Sequence, residues 1–150
     1  YNERKNNSSI QKIINTQNIK SIKCCWSSSY FLNSNDILRG CGFNGDGELG
    51  IKNKNIDRSG SIHVVMKQIK TFGCGYQHIG CLTLKNKLYM FGNNMHGQCG
   101  INNIHKSIVN KPRYVCISNN KRIKDIKCGG HHSIILTYNN EYYSFGFNDK

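Results

Sequence analysis

Apolar and polar residues alternate along most of the chain, and the period of the alternation is two. Between Ile123 and Gly146, Ile126 and Cys128 flank Lys127, Ile134 and Leu136 share one face, and Tyr143 and Phe145 share another. A helix would space its apolar residues three and four apart, whereas alternation lines one side of a pleated strand. Between the last two strands of this stretch sits Asn139-Asn140, with Lys85-Asn86 and Asn35-Asp36 at the corresponding places earlier in the chain. After glycine, Asn and Asp best tolerate the positive φ of a two-residue hairpin turn. The pattern therefore predicts a unit of one strand followed by a hairpin. The linking stretches Ile62 to Met66 and Arg113 to Ser118 are candidates for a fourth strand, with Pro112 at the strand entrance, where a missing N–H costs little.

The unit recurs. The blocks IKSIKCCWSSSYFLNSNDILRGCG (19–42), IKTFGCGYQHIGCLTLKNKLYMFG (69–92) and IKDIKCGGHHSIILTYNNEYYSFG (123–146) align without a gap, which pairs Cys24 with Cys74 and Cys128, and Leu32 with Leu82 and Leu136. The offsets, about 50 and then about 54 residues, fall in the range of propeller and solenoid units. After each block comes the frame Gly-x-Asn-x-x-Gly-x-x-Gly: Gly42, Asn44, Gly47 and Gly50, then Gly92, Asn94, Gly97 and Gly100, then Gly146 and Asn148. Taken alone, Gly45-x-Gly47-x-x-Gly50 has the spacing of a dinucleotide-binding loop. No amphipathic helix follows it, however, and the second copy has Met95 where the first has Gly45. A calcium loop beginning at Asn44 would close on Asn55 instead of an acid. The glycines belong to a structural repeat.

The pattern I-K-x-I-x-C-G-x-x-H-S, leading to Y-x-F-G-x-N-x-x-G-Q-x-G, resembles the regulator of chromosome condensation repeat. The copies that carry the resemblance best are Cys74-Gly75 and His78 running on to Gly97-Gln98-Cys99-Gly100, and Cys128-Gly129 with His132-Ser133 running on to Phe145-Gly146. The first copy departs from it: Trp26 and Ser28 stand where glycine and histidine are expected, and Cys41 replaces the usual aromatic residue. Kelch propellers have similar repeat lengths, but their double glycine occurs here once, as Gly129-Gly130.

The resemblance implies an all-β fold of antiparallel propeller blades, about three of the family's seven. Residues 1–18 then form a polar lead-in, and 19–150 form tandem repeats with motif blocks at 19–50, 69–100 and 123–150. Seven units would need roughly 350 residues, so the chain reads as a fragment of a longer propeller. The functions implied are a non-catalytic scaffold for protein partners, or part of a guanine nucleotide exchange factor for a Ran-like small GTPase that also binds chromatin. The residues responsible for exchange lie outside the repeated motif, so the resemblance places none of them here.

Charge adds a preference for partner. With 21 Lys and Arg against 8 acids, the net charge of +13 suits an acidic surface such as a small GTPase or a nucleosome. The expected contact residues are cations between the motif blocks: Lys52, Lys54, Arg58, His105, Lys106, Lys111 and Arg113. No basic run is interleaved with stacking aromatics, and an AT-rich coding bias toward Lys and Asn explains the charge equally well, so direct nucleic-acid binding stays open. No apolar run reaches the ~18 residues that a membrane helix needs. Cys24, Cys74 and Cys128 recur in separate units and read as reduced, buried thiols, which points to an intracellular protein. Cys128, His131 and His132 resemble the start of a zinc site, but the other copies do not keep the ligands. Asp125, His132 and Ser133 supply triad residue types with no strained elbow around the serine. No catalytic residue, metal or cofactor is expected.

Overall fold

The computed structural model describes residues 18–51, 61–103, 105–117 and 121–148. The first 17 residues of the lead-in lie outside that range, as do Lys52, Lys54 and Arg58. The described residues form three antiparallel sheets, each with strands in chain order. The first contains β1 (Ile19–Cys24), β2 (Ser28–Asn33), β3 (Leu38–Gly42) and β4 (His63–Met66). The second contains β5 (Ile69–Cys74), β6 (His78–Thr83), β7 (Leu88–Asn93) and β8 (Ile108–Val115). The third contains β9 (Ile123–Cys128), β10 (His132–Thr137) and β11 (Tyr142–Gly146). These are propeller blades, as the alternation and the repeat together imply. Each hairpin turns on a positive-φ residue at the expected place, namely Asp36, Asn86 and Asn140.

Fourth strands complete the first two blades, although β8 is not where the sequence put it. It begins at Ile108, so Pro112 falls inside it and not at its entrance. The pairing with β7 shifts register between Met90 and Gly92, which leaves Asn110 to Pro112 in a bulge on the outermost strand. A residue without an N–H is tolerated at such a bulge. Lys111, expected between the motif blocks and before the strand, is accordingly a strand residue, and Arg113 lies inside the strand it was expected to begin.

Repeat identity decides how blades meet. The last glycine of one loop lies under the aromatic ring of the next blade: a Cβ on Gly50 would come within 2.9 Å of the Phe91 ring, and one on Gly100 within 2.9 Å of Phe145. Phe72 of β5 packs on Tyr30 of β2, and Ile126 of β9 occupies the equivalent place over Gly80. Both are buried, whereas their equivalent in the first blade, Ile22, is 66% exposed. At the other end of the arc, Tyr142 is 75% exposed although its equivalents Leu38 and Leu88 are fully buried. Within a blade, volume is conserved by exchange. Tyr30 faces Gly40 across the first hairpin, while Gly80 faces Met90 across the second.

The cysteines do not all behave as read from the sequence. Cys74 is bonded to Cys25, with the Cα atoms 6.1 Å apart, while the other six cysteines are free. The two lie just beyond or at the ends of β1 and β5, the first strands of adjacent blades, a proximity that depends on blade packing and leaves no local trace in the sequence. The expectation of a reduced thiol is therefore overturned for Cys74, and with it part of the argument for an intracellular protein. No helix among the described residues is long and apolar enough to cross a membrane.

Candidate interaction face

The repeated motif builds one tight corner per blade. In the second blade the Gly75 N–H donates to the His78 carbonyl at 2.8 Å, and the His78 ring lies where a Cβ on Gly75 would sit, 2.3 Å from its nearest carbon. Gly129 and His132 repeat the arrangement, with the N–H donating at 2.9 Å and the same 2.3 Å approach. The first blade makes the corner with Cys25 and Ser28, also at 2.9 Å. It is thus Cys25, not Trp26, that occupies the glycine position. The short Ser28 leaves room for the side chain that histidine would exclude.

The loops after β3 and β7 close on their asparagines. Asn94 Oδ1 accepts from the Cys99 N–H at 2.9 Å and its Nδ2 donates to the Lys106 carbonyl at 2.8 Å. Asn44 does the same toward Leu49, at 2.8 Å, and Ile51, at 3.1 Å. Gly47, Gly50, Gly97 and Gly100 turn these loops at positive φ. At the strand end, Gly92 combines φ of +106° with a site where a Cβ would lie 2.3 Å from the Gln77 carbonyl, so no other residue fits. Gly42 and Gly146 end β3 and β11 in the same way, and Asn148 is exposed.

Buried polar groups tie the second blade to the third. His78 Nε2 and Ser133 Oγ are 2.9 Å apart, and Ser133 Oγ donates to the Gln98 carbonyl at 2.9 Å. With the serine proton used in that way, Nε2 carries the histidine proton and donates it to Oγ. His78 Nδ1 is buried without a partner, and burial pushes the imidazole pKa down to about 4. The Gln98 side chain accepts from the His96 N–H at 2.9 Å and donates to Asn93 at 3.0 Å. Glu48 takes the glutamine's place in the first blade, where Phe43 replaces Asn93. Its Oε2 accepts from the Asp46 N–H at 2.9 Å, but Oε1 is buried with no partner, and burial raises the carboxyl pKa to about 7.

These corners present a row of rings. Trp26 and Tyr76 lie 5.2 Å apart between centroids, Tyr76 and His131 5.3 Å, His131 and His96 5.2 Å, and His96 and Phe147 4.8 Å. Trp26 is 72% exposed, and Tyr76, His96 and Phe147 are exposed as well. The row runs across all three blades beside an open cavity of about 420 Å³ lined by Cys24, Cys25, Cys74 and Cys128. Sequence reasoning missed it. Its members occupy the variable positions inside the motifs; Trp26 had drawn notice only as a departure and His131 only as the start of a zinc site, and nothing local in the sequence joins them.

The cations named from the sequence lie elsewhere. His105 and Lys106 are in the loop before β8, and Lys106 and Arg113 together line a second open cavity of about 400 Å³ along the outer strand. Lys111 is exposed on β8. Cys128, His131 and His132 do not converge with a further acid, and among the described residues no three His, Cys, Asp or Glu side chains form a metal-sized group.

The regulator of chromosome condensation (RCC1) repeat family matches residues 85–136 and again residues 123–150. The chain carries RCC1 repeats. Its relatives include the X-linked retinitis pigmentosa GTPase regulator of Canis lupus familiaris, 37% identical over 83 residues that cover 55% of this chain and 8% of that protein. The guanine nucleotide exchange factor SRM1 of Saccharomyces cerevisiae is 35% identical over 83 residues, covering 54% of this chain and 17% of that one. Among solved structures, Prp20p of Saccharomyces cerevisiae, described with its binding to Gsp1p and histones, superposes with a TM-score of 0.79 at 28% identity over 88% of this chain and 31% of its own. The chain thus spans about a third of the solved RCC1 propeller and less of the curated relatives.

Proposed function

We propose that this RCC1-repeat chain is a non-catalytic scaffold that binds an acidic protein partner. Residues 19–150 serve as one tandem array that displays the face just described. The observation that carries the reading is the row from Trp26 to Phe147. Exposed aromatic side chains contiguous across three blades are uncommon on a surface meant only for water, and tryptophan and tyrosine supply much of the binding energy at protein interfaces. Net charge adds the preference for acidic partners through faster, salt-sensitive encounter, with Lys106 in the loop before β8 and Arg113 on that outer strand to take part. The repeated glycines, asparagines and histidines act in the fold and do not contact the partner.

Exchange activity on a Ran-like GTPase is the second reading, favoured by the relative described as an exchange factor and by the Gsp1p binding described for Prp20p. Titration against a Gsp1p-type GTPase, nucleosomes and free DNA, each at two salt concentrations, tests both. The scaffold reading expects affinity for one protein partner to fall at least tenfold in Trp26→Ala and Tyr76→Ala and to weaken with salt. Equal binding to every polyanion, unaffected by Trp26→Ala, overturns it. Nucleotide release from the GTPase accelerated by the chain establishes the second.

A further inference from the structure

We propose that the Cys25–Cys74 disulfide is a redox-operated clasp that holds the first two blades in register at the interaction face, so that its reduction by a dithiol lets Trp26 and Tyr76 move apart. The bridge joins residues 49 apart in sequence and belongs to no single blade. Trp26 follows Cys25 directly, and Tyr76 lies two residues beyond Cys74, so each ring of the closest aromatic pair between these blades is attached to one half of the bond.

The local sequence makes room for the bond. Cys25 fills the position held by Gly75 and Gly129, and its side chain is accommodated because Ser28 replaces the histidine ring that packs over those glycines. Both halves of the bridge are partly exposed and line an open cavity, which admits a reductant. Of the neighbouring thiols, Cys24 is exposed on the same cavity, and the buried ones compete poorly. Cys81 and Cys99 are buried, and burial pushes the Cys128 thiol up to about 11, so little thiolate is present to attack the bond. In a reducing compartment a disulfide that persists as a structural strut is rare, whereas one that opens and closes is a regulatory element.

The step is a two-electron exchange. A dithiol gives two electrons and two protons to the Cys25 and Cys74 sulfurs, the S–S bond becomes two thiols, and the reductant leaves as its own disulfide. The remainder of the interface does not depend on the bond. Tyr30 still packs on Phe72, and the Lys23 ammonium still donates to the Phe72 carbonyl. Opening is therefore confined to the corners that carry the rings. Only the effect on partner affinity rests on the scaffold reading above.

Trp26 is the sole tryptophan of the chain, so its emission reports on this corner alone. Peptide mapping after alkylation without reductant should recover Cys25 linked to Cys74, with both labelled after dithiothreitol. Reduction should lower Trp26 anisotropy and increase its quenching by acrylamide, both reversing on reoxidation. Cys25→Ser should show the reduced values in either condition. Cys74→Ser or the reduced parent protein gives the same reading should Cys25→Ser not fold. A bridge mapped to Cys24 or Cys128, free alkylation of Cys25 and Cys74 without reductant, or Trp26 signals that ignore reduction would each overturn the clasp. None of these measurements uses a partner, so they stand apart from the fate of the scaffold reading.

Discussion

Two buried side chains pull the pH dependence of stability in opposite directions. Glu48 has a folded pKa raised to about 7 by burial, so folding favours its protonated form, and its contribution declines as pH rises from the unfolded value near 4.5 to about 7. His78 has a folded pKa lowered to about 4 from 6.5, so folding favours its neutral form, and its contribution declines as pH falls through that window. Each shift corresponds to about 3.5 kcal/mol at most, since one unit is about 1.4 kcal/mol. The two slopes oppose one another between pH 4.5 and 6.5, and only that of Glu48 acts above 6.5. Glu48→Gln should therefore stabilise the chain at pH 8 and expose a rise in stability from pH 4.5 to 6.5 that the parent lacks. Denaturant unfolding at pH 4.5, 6.5 and 8 reads this out, and parallel curves for parent and variant would refute it.

At the scale of the element, each blade corner is a matched pair. Gly129→Ala places a Cβ 2.3 Å from the His132 ring and should cost about 2 kcal/mol, while His132→Ser in the same chain should recover at least 1 kcal/mol of it. The first blade shows why, since its corner already combines a side chain at the glycine position with serine at the histidine position. Additive effects in the double-mutant cycle would mean the ring is not the obstacle. The corner was half legible in the sequence. Glycine and histidine recur at fixed spacing, and Asp36, Asn86 and Asn140 announced their turns, because these are constraints between residues close in sequence. The bridge from Cys25 to Cys74 and the row through Trp26, Tyr76 and His131 were not legible, because each is assembled from separate blades. The start of β8 was missed for a different reason: Pro112 reads as an entrance, and only the skipped register opposite Phe91 lets it sit within an edge strand.

At the scale of the whole molecule, the arc ends in two unlike faces, one bearing Ile22 and the other Ile134 and Tyr142. Inside the arc the counterparts of these faces pack on each other, so a chain offering both invites head-to-tail contact between copies, which need not close into a ring. The 150-residue chain should associate increasingly with concentration in sedimentation, and Ile22→Lys with Tyr142→Lys should suppress it. A monodisperse parent monomer that unfolds in one sharp step counts against this. The same nearest-neighbour construction governs how the fold comes apart. When stability is a sum of terms between adjacent units, the unit that shares in two terms outlasts those that share in one. The second blade, packed on both faces, opens last. The first is retained beside it by a covalent bond as well as by Tyr30 and Phe72. The third, attached through His78, Ser133, the Lys70–Tyr138 hydrogen bond, the Tyr76 N–H to the Gly130 carbonyl and apolar packing, has no covalent tie, so it is the blade that can separate completely while the other two remain joined.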